Sequence, residues 1–183
     1  MNGHQKQREQ SAQMIEEALF ALMEEKSFHE ITVSEIVTRA DVARRTFYRL
    51  YKKKEDVLHC FFQKSAMEYK QSYPPLPRYD VAKIAEDFFC FWYSYKKILL
   101  LLHKCGLEEL LYNEIRQASV EIVKNRIPDN PEKAGADMAY FALYSTGGFL
   151  MLLHYWISNE MNEPPRTYAQ KISSVLLKYL RAM

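Results

Sequence analysis

Apolar residues recur every three to four positions along most of the chain, the period of an α-helix that buries one stripe. Ile15, Ala18, Leu19 and Leu22 mark a first helix, and Ile36, Val37 and Ala40 a short second one that ends near Ala40. At 100° per residue, Ala43, Phe47 and Leu50 fall within about 60° of one another. A third helix over about 43–50 is therefore predicted to rest that stripe on its neighbours. A long helix begins near Lys54 and breaks at Tyr73-Pro74-Pro75-Leu76-Pro77, because proline cannot continue it. Beyond lie a helix from Val81 to about Tyr95, an apolar run Ile98–Leu102, an interruption at Gly106, and a helix Leu107–Arg126 that ends before Pro128. Residues 132–160 and 166–182 give two more, separated by Pro164-Pro165. With five glycines in all and long segments of helical period, nothing suggests a β architecture. The pattern predicts an all-α chain of about nine helices. Residues 1–62 form a three-helix unit with a connecting helix to about 73, and residues 74–183 form a second helical domain.

Local signals sharpen the first unit. Thr32 followed by Glu35 matches a capping box, in which each side chain satisfies a free N–H at a helix start. Asp41-Val42 is the turn, with Val42 plugging the space between the helices. Glu55 and Asp56 supply the acidic first turn of the long helix. The third helix carries Arg44, Arg45, Tyr48 and Arg49 on the side opposite its apolar stripe, an arrangement suited to the DNA major groove. Residues 39–54 hold seven basic side chains against Asp41 alone, a local charge of +6 in a chain whose total is only +2. Charge so concentrated suits phosphate neutralisation with counterion release.

The stretch HEITVSEIVTRADVARRTFYRLYKKKEDVLHCFF resembles the DNA-binding domain of the TetR family of transcriptional regulators, over roughly residues 10–62. The pattern is ITV-x-EI, then V-x-x-x-T-F-Y-R, then K-E-x-V. The resemblance implies that Arg44, Arg45, Thr46 and Tyr48 touch bases or phosphates and that Lys54 meets the DNA backbone. Thr32, Arg49 and Lys53 complete the expected DNA-facing set. Two departures stand out. Asp41 replaces a common glycine, and aspartate tolerates a left-handed turn better than most residues. Ala43 replaces a common Ser or Thr cap, so Asp41 is expected to cap in its place and start the helix slightly earlier.

The same resemblance implies a homodimer packed through its last two helices, an inverted-repeat operator in double-stranded DNA, and a pocket for a small apolar or aromatic effector. The small residues of 138–158 permit close helix approach, and the expected dimer contacts are Ala142, Gly147, Met151, Tyr155, Leu176 and Leu180. Candidate pocket residues are Phe88, Trp92, Tyr95, His103, Tyr112, Tyr140 and Tyr144, although aromatics at helical spacing are ordinarily core. The pattern GGFLMLLHYWI-x-N resembles a subgroup that includes regulators of dihydroxyacetone kinase genes. Some of those act as activators with a protein partner, so a repressor released by a ligand and an activator answering to a protein both stay open.

Composition adds exclusions. At 183 residues, 48% apolar and 26% charged, the chain has the make-up of a soluble globular protein. The polar start over residues 1–13 lacks a signal peptide. Cys60, Cys90 and Cys105 are odd in number and have no metal-like spacing, so reduced thiols in a cytoplasm are expected. Met138–Ser158 holds 21 residues with no formal charge, but its tyrosines, glycines and His154 dilute it, and a helix buried nearly all round is predicted rather than a membrane span. There is no Gly-rich phosphate loop, no G-x-S-x-G, no H-E-x-x-H and no pair of histidines four apart. No enzyme, cofactor or metal is expected.

Overall fold

The computed structural model describes residues 3–76, 80–126 and 136–180, with backbone alone at 124–126, 136–138, 179 and 180. Among them the chain forms nine α-helices and one 3-10 turn. These are α1 (Gly3–Glu25), the turn Phe28–Glu30, α2 (Val33–Arg39), α3 (Arg44–Leu50), α4 (Lys54–Ser72), α5 (Val81–Tyr93), α6 (Lys96–Cys105), α7 (Glu108–Arg126), α8 (Ala136–Ser158) and α9 (Pro165–Leu180). Pro77, Pro128 and residues 132–135, 181 and 182 of the predicted segments lie outside the described residues.

Helix ends follow chemistry that is local in the chain. Asp80 Oδ1 accepts from the N–H groups of Ala82 and Lys83 at 3.0 and 3.1 Å and so caps α5. Gly106 takes a left-handed φ of 66°, with Leu107 N–H donating to Leu102 O at 2.9 Å, which closes α6 and turns the chain sharply into α7. Pro165 opens α9, where its missing N–H leaves nothing unpaired.

Ile15 and Leu19 of α1, Ile36 of α2 and Phe47 of α3 are wholly buried and form the core of the N-terminal unit. Leu58 and Phe62 carry that core along α4, which packs on α7 in the second half. There Phe89 sits edge-on to Trp156 and Tyr168, at ring-centroid distances of 5.6 and 4.9 Å, and ties α5 to α8 and α9. Trp156 and Tyr168 stack at 5.0 Å. Cys60, Cys90 and Cys105 are unbridged and half-buried, and burial pushes all three thiols up.

One expectation is corrected. The 138–158 helix is not buried all round. Its inner face packs on α7, while Tyr144 is 84% and Met151 67% exposed, with Tyr140, Leu143 and Tyr155 beside them. The apolar character of this helix therefore serves two faces, only one of which the subunit itself covers. Among the described residues no helix is long and apolar enough to cross a membrane.

Candidate nucleic-acid interface and effector cavity

The capping box at the start of α2 is formed on both sides. Glu35 Oε2 accepts from the Thr32 N–H at 2.9 Å, and Thr32 Oγ1 accepts from the Glu35 N–H at 3.3 Å. Lys26 Nζ lies 2.5 Å from Glu35 Oε1. The Lys26 ammonium first, and then the Thr32 donors, hold the Glu35 carboxyl down at about 2. The folded state thus favours the charged form, so its contribution is complete above the ordinary value of 4.5 and is lost as pH falls from there towards 2. Glu35→Gln is expected to flatten the fall of the thermal midpoint across that window and to leave its slope near neutrality unchanged.

The turn after α2 holds Asp41 at a φ of 51°, and Val42 N–H donates back to Val37 O at 3.1 Å. Val42 packs against the core as predicted from its place between the helices. Asp41 is used entirely as the left-handed residue and does not cap α3. The N-cap is Ala43, which has extended backbone and no side-chain cap bond. Ala43 is also exposed, because it stands outside the helical spacing that the apolar stripe assumed. The inward side of α3 is carried by Phe47 and Leu50, with Tyr51 buried just after it.

The outward side carries the basic set. Arg44 is tied to both helices of the motif: Nη1 donates to Ser34 Oγ at 3.4 Å, and the guanidinium lies 5.7 Å from the Tyr48 ring centroid. Tyr48 is 48% exposed, Arg45 and Arg49 are exposed, and Thr46 is half-buried. Lys52 and Lys53 follow directly, their N–H groups bonded to Asp56 Oδ2 at 2.9 and 3.1 Å. Thr32, at the start of α2, is exposed as well.

Two of the seven bases already have partners within the chain, one at the surface and one turned inward. Arg39 pairs with Glu25 at 2.6 Å. Lys54 turns inward: its Nζ donates to the carbonyls of Phe28, Ile31 and His29 at 2.5, 2.7 and 3.1 Å and lies 4.6 Å from the Phe28 ring centroid. An ammonium has three protons, and all three are used. Lys54 is thus a clasp between α4 and the 3-10 turn. Lys54→Met is expected to cost about 1–3 kcal/mol in denaturant unfolding, since three carbonyls lose their donor. Lys53→Ala is expected to leave stability alone and to lower the slope of log affinity against log salt by about one.

The second half holds an apolar cavity of about 70 Å³. Ala66 and Tyr69 of α4, Ile84, Phe88 and Trp92 of α5, Ile115, Ser119 and Ile122 of α7, and Phe141, Thr146 and Phe149 of α8 form its wall. Phe88 and Trp92 were expected there. Tyr95, His103, Tyr112, Tyr140 and Tyr144 are not in the wall. Tyr95 donates to Glu68 Oε2 at 2.7 Å, His103 contacts Glu108, Tyr112 meets His154, and Tyr140 and Tyr144 point outward. The α7 side went unseen, although Ile115, Ser119 and Ile122 follow one another at helical spacing. Ser119 and Ser145 hydroxyls donate to carbonyls of their own helices at 2.7 Å, so the wall offers few polar handles.

Of the expected dimer contacts, Gly147, Met151, Tyr155 and Leu176 lie on exposed faces of α8 and α9. Ala142 does not: it is fully buried within its own subunit, about 200° around the helix from Tyr144. Its small size suggested close approach, but its angular position decides the partner. The side chain of Leu180 lies outside the described residues.

Residues 15–59 match the family described as bacterial regulatory proteins, tetR family, and residues 80–178 match the family described as transcriptional regulator C-terminal region. The second match alone covers more than half of the chain. The chain belongs to the TetR family of transcriptional regulators. Membership makes it a helix-turn-helix, DNA-binding regulator of transcription rather than an enzyme. Among curated relatives, the HTH-type dhaKLM operon transcriptional activator DhaS of Lactococcus lactis subsp. lactis (strain IL1403) is 26% identical over 102 residues. That match takes in 56% of this chain and 46% of DhaS, so under half of that relative's length is matched. Two solved structures share the TetR fold. Dihydroxyacetone kinase operon activator DhaS has a TM-score of 0.65 and 15% identity, covering 94% of this chain and 97% of that one. Fatty acid degradation regulator FadR from Bacillus halodurans has a TM-score of 0.58 and 19% identity, covering 91% and 94%.

Proposed function

We propose that this regulator is a homodimeric repressor that leaves an inverted-repeat operator when a small apolar or aromatic effector enters each subunit. In this reading residues 1–62 form the DNA-binding domain, α4 is the connector to about 73, and residues 74–183 form the effector and dimerisation domain. Arg44, Arg45, Thr46, Tyr48 and Arg49 face the major groove, with Thr32 and Lys53 on phosphates and Lys54 holding the connector in place. The protein works in the cytoplasm, where its DNA is.

The observation that carries the effector role is the apolar cavity itself. It has α4 as one wall, and only three residues separate α4 from the end of the reading helix. A ligand that spreads α4 from α5, α7 and α8 would tilt the connector and change the separation of the two reading heads. The homodimer rests on the exposed apolar face of α8 and α9, where Tyr140, Tyr144, Met151, Tyr155, Val175 and Leu176 stand open, since clustered exposed apolar side chains mark interaction surfaces.

A second reading, an activator that answers to a protein partner, is favoured by the likeness to a relative named as a transcriptional activator. Release experiments separate the two. The purified dimer on its selected operator is challenged with a panel of small apolar and aromatic compounds. The repressor reading expects at least one to release the DNA, and Thr146→Trp, which fills the cavity, to abolish that response while operator binding persists. Retention of DNA against every compound, with transcription rising when a partner protein is added, favours the activator.

A further inference from the structure

Away from the cavity, three side chains from three helices converge. His103 lies near the end of α6, Glu108 opens α7, and His154 comes from α8. One ligating atom from each, a ring nitrogen or a carboxylate oxygen, lies within 4.8 Å of the others. His103 Nδ1 contacts Glu108 Oε1 directly, and the two imidazole rings stand 6.0 Å apart between centroids. The hydroxyl of Tyr112, one turn into α7, is 3.3 Å from His154 Nδ1.

We propose that His103, Glu108 and His154 bind a divalent transition-metal ion with the coordination chemistry of zinc. Two imidazoles and one carboxylate are a three-ligand set that zinc accepts in tetrahedral geometry, with a water in the fourth position. At bond lengths of about 2.0–2.2 Å, tetrahedral ligand atoms stand roughly 3.3–3.6 Å apart. All three ligand atoms lie within 4.8 Å of one another, and the His103–Glu108 contact is tighter than that tetrahedral spacing and must open, a change within reach of side-chain rotation. Imidazole donors favour zinc, cobalt, nickel and copper over magnesium and calcium, which prefer all-oxygen sets.

A plain ion pair between His103 and Glu108 accounts for two of the three groups. It does not require a second imidazole with a ring nitrogen at ligand distance. Tyr112 supplies the outer partner that metal-binding histidines ordinarily have: it engages one nitrogen of His154 and leaves the other for the ion. The frame is stiff, because the left-handed cap at Gly106 places residues 103 and 108 side by side where α6 turns into α7. Since α6 also packs on α1, an ion here would fasten α8 to the helix that supports the DNA-binding half.

The test uses the full chain, stripped with a chelator and titrated with zinc chloride by calorimetry, with cobalt as the spectroscopic probe. One ion per chain, visible bands of tetrahedral cobalt, and a thermal midpoint that climbs with added zinc are expected. His103→Asn and His154→Ala should each weaken zinc by more than about tenfold, and Tyr112→Phe by about tenfold, with metal-free melting unchanged. Absence of zinc binding by the unaltered chain overturns the proposal, as does zinc affinity in the histidine variants that is unchanged from the unaltered chain's. If His103→Asn fails to fold, His154→Ala decides alone. None of these readouts involves an operator or an effector, so the outcome is independent of the repressor reading.

Discussion

Met151→Glu combined with Tyr155→Glu is expected to yield folded monomers whose operator affinity is about 10²–10⁴-fold below that of the unaltered protein. Both side chains are mostly exposed on the outer face of α8, so acidic replacements leave the subunit's own core untouched. If two subunits meet there, each pair brings four added carboxylates into a desolvated interface, where unpaired charge is poorly tolerated. The loss in DNA affinity follows from symmetry. A dimer binds its second half-site as an intramolecular event, and a monomer forfeits that effective concentration. Sedimentation at micromolar concentration reads the assembly state, and titration of a full and a half operator reads the affinity. Dimers that persist, with unchanged DNA binding, would place the interface elsewhere.

Phe47→Ala should remove about 3–5 kcal/mol of stability, the range for a buried phenylalanine whose cavity cannot collapse. Phe47 is wholly buried at the junction of α1, α2 and α3, and its ring stands edge-on to Tyr48 at 5.5 Å and tilted against Tyr51 at 5.6 Å. This side chain holds the reading helix to its supports and orients the residue that points out beside it. DNA binding should therefore be lost by more than loss of folded protein explains. Tyr48→Phe, which keeps the ring and removes only the hydroxyl, should leave stability within about 0.5 kcal/mol. Denaturant midpoints separate the two effects.

What was legible in the sequence is what is encoded within a few residues. The Thr32–Glu35 box, the left-handed Asp41, the glycine stop at 106 and the proline breaks at 74–75 and 164–165 each involve neighbours along the chain, and each emerges where expected. The third helix emerges too, with Phe47 and Leu50 inward and its basic side outward, while Ala43 falls just outside it. Failures occur where distant elements decide. Lys54 is captured by carbonyls more than twenty residues earlier, at Phe28, His29 and Ile31, and no local pattern marks it as a clasp. The aromatic run of α5 has rings on several faces. Phe88 and Trp92 reach the cavity while Phe89 goes to α8 and α9, a choice set by how α5 is rotated against its neighbours. Ala142 and Tyr144 are two residues apart, yet one is buried and the other open. The convergence of His103, Glu108 and His154 was invisible for the same reason, since it needs the packing of α6 against α8.

In the proposed complex α3 reads base sequence with its outward arginines while Phe47 anchors its inner side. A binding selection against random duplexes, run in parallel on the unaltered protein and on Arg45→Ala, tests it most directly. An inverted repeat is expected, with half-site centres about 34–36 Å apart or a multiple of that. Arg45→Ala should relax preference at one or two positions by roughly 1–3 kcal/mol and leave the others intact. Random recovery by the unaltered protein, or an equal loss at every position in the variant, would contradict that role of α3.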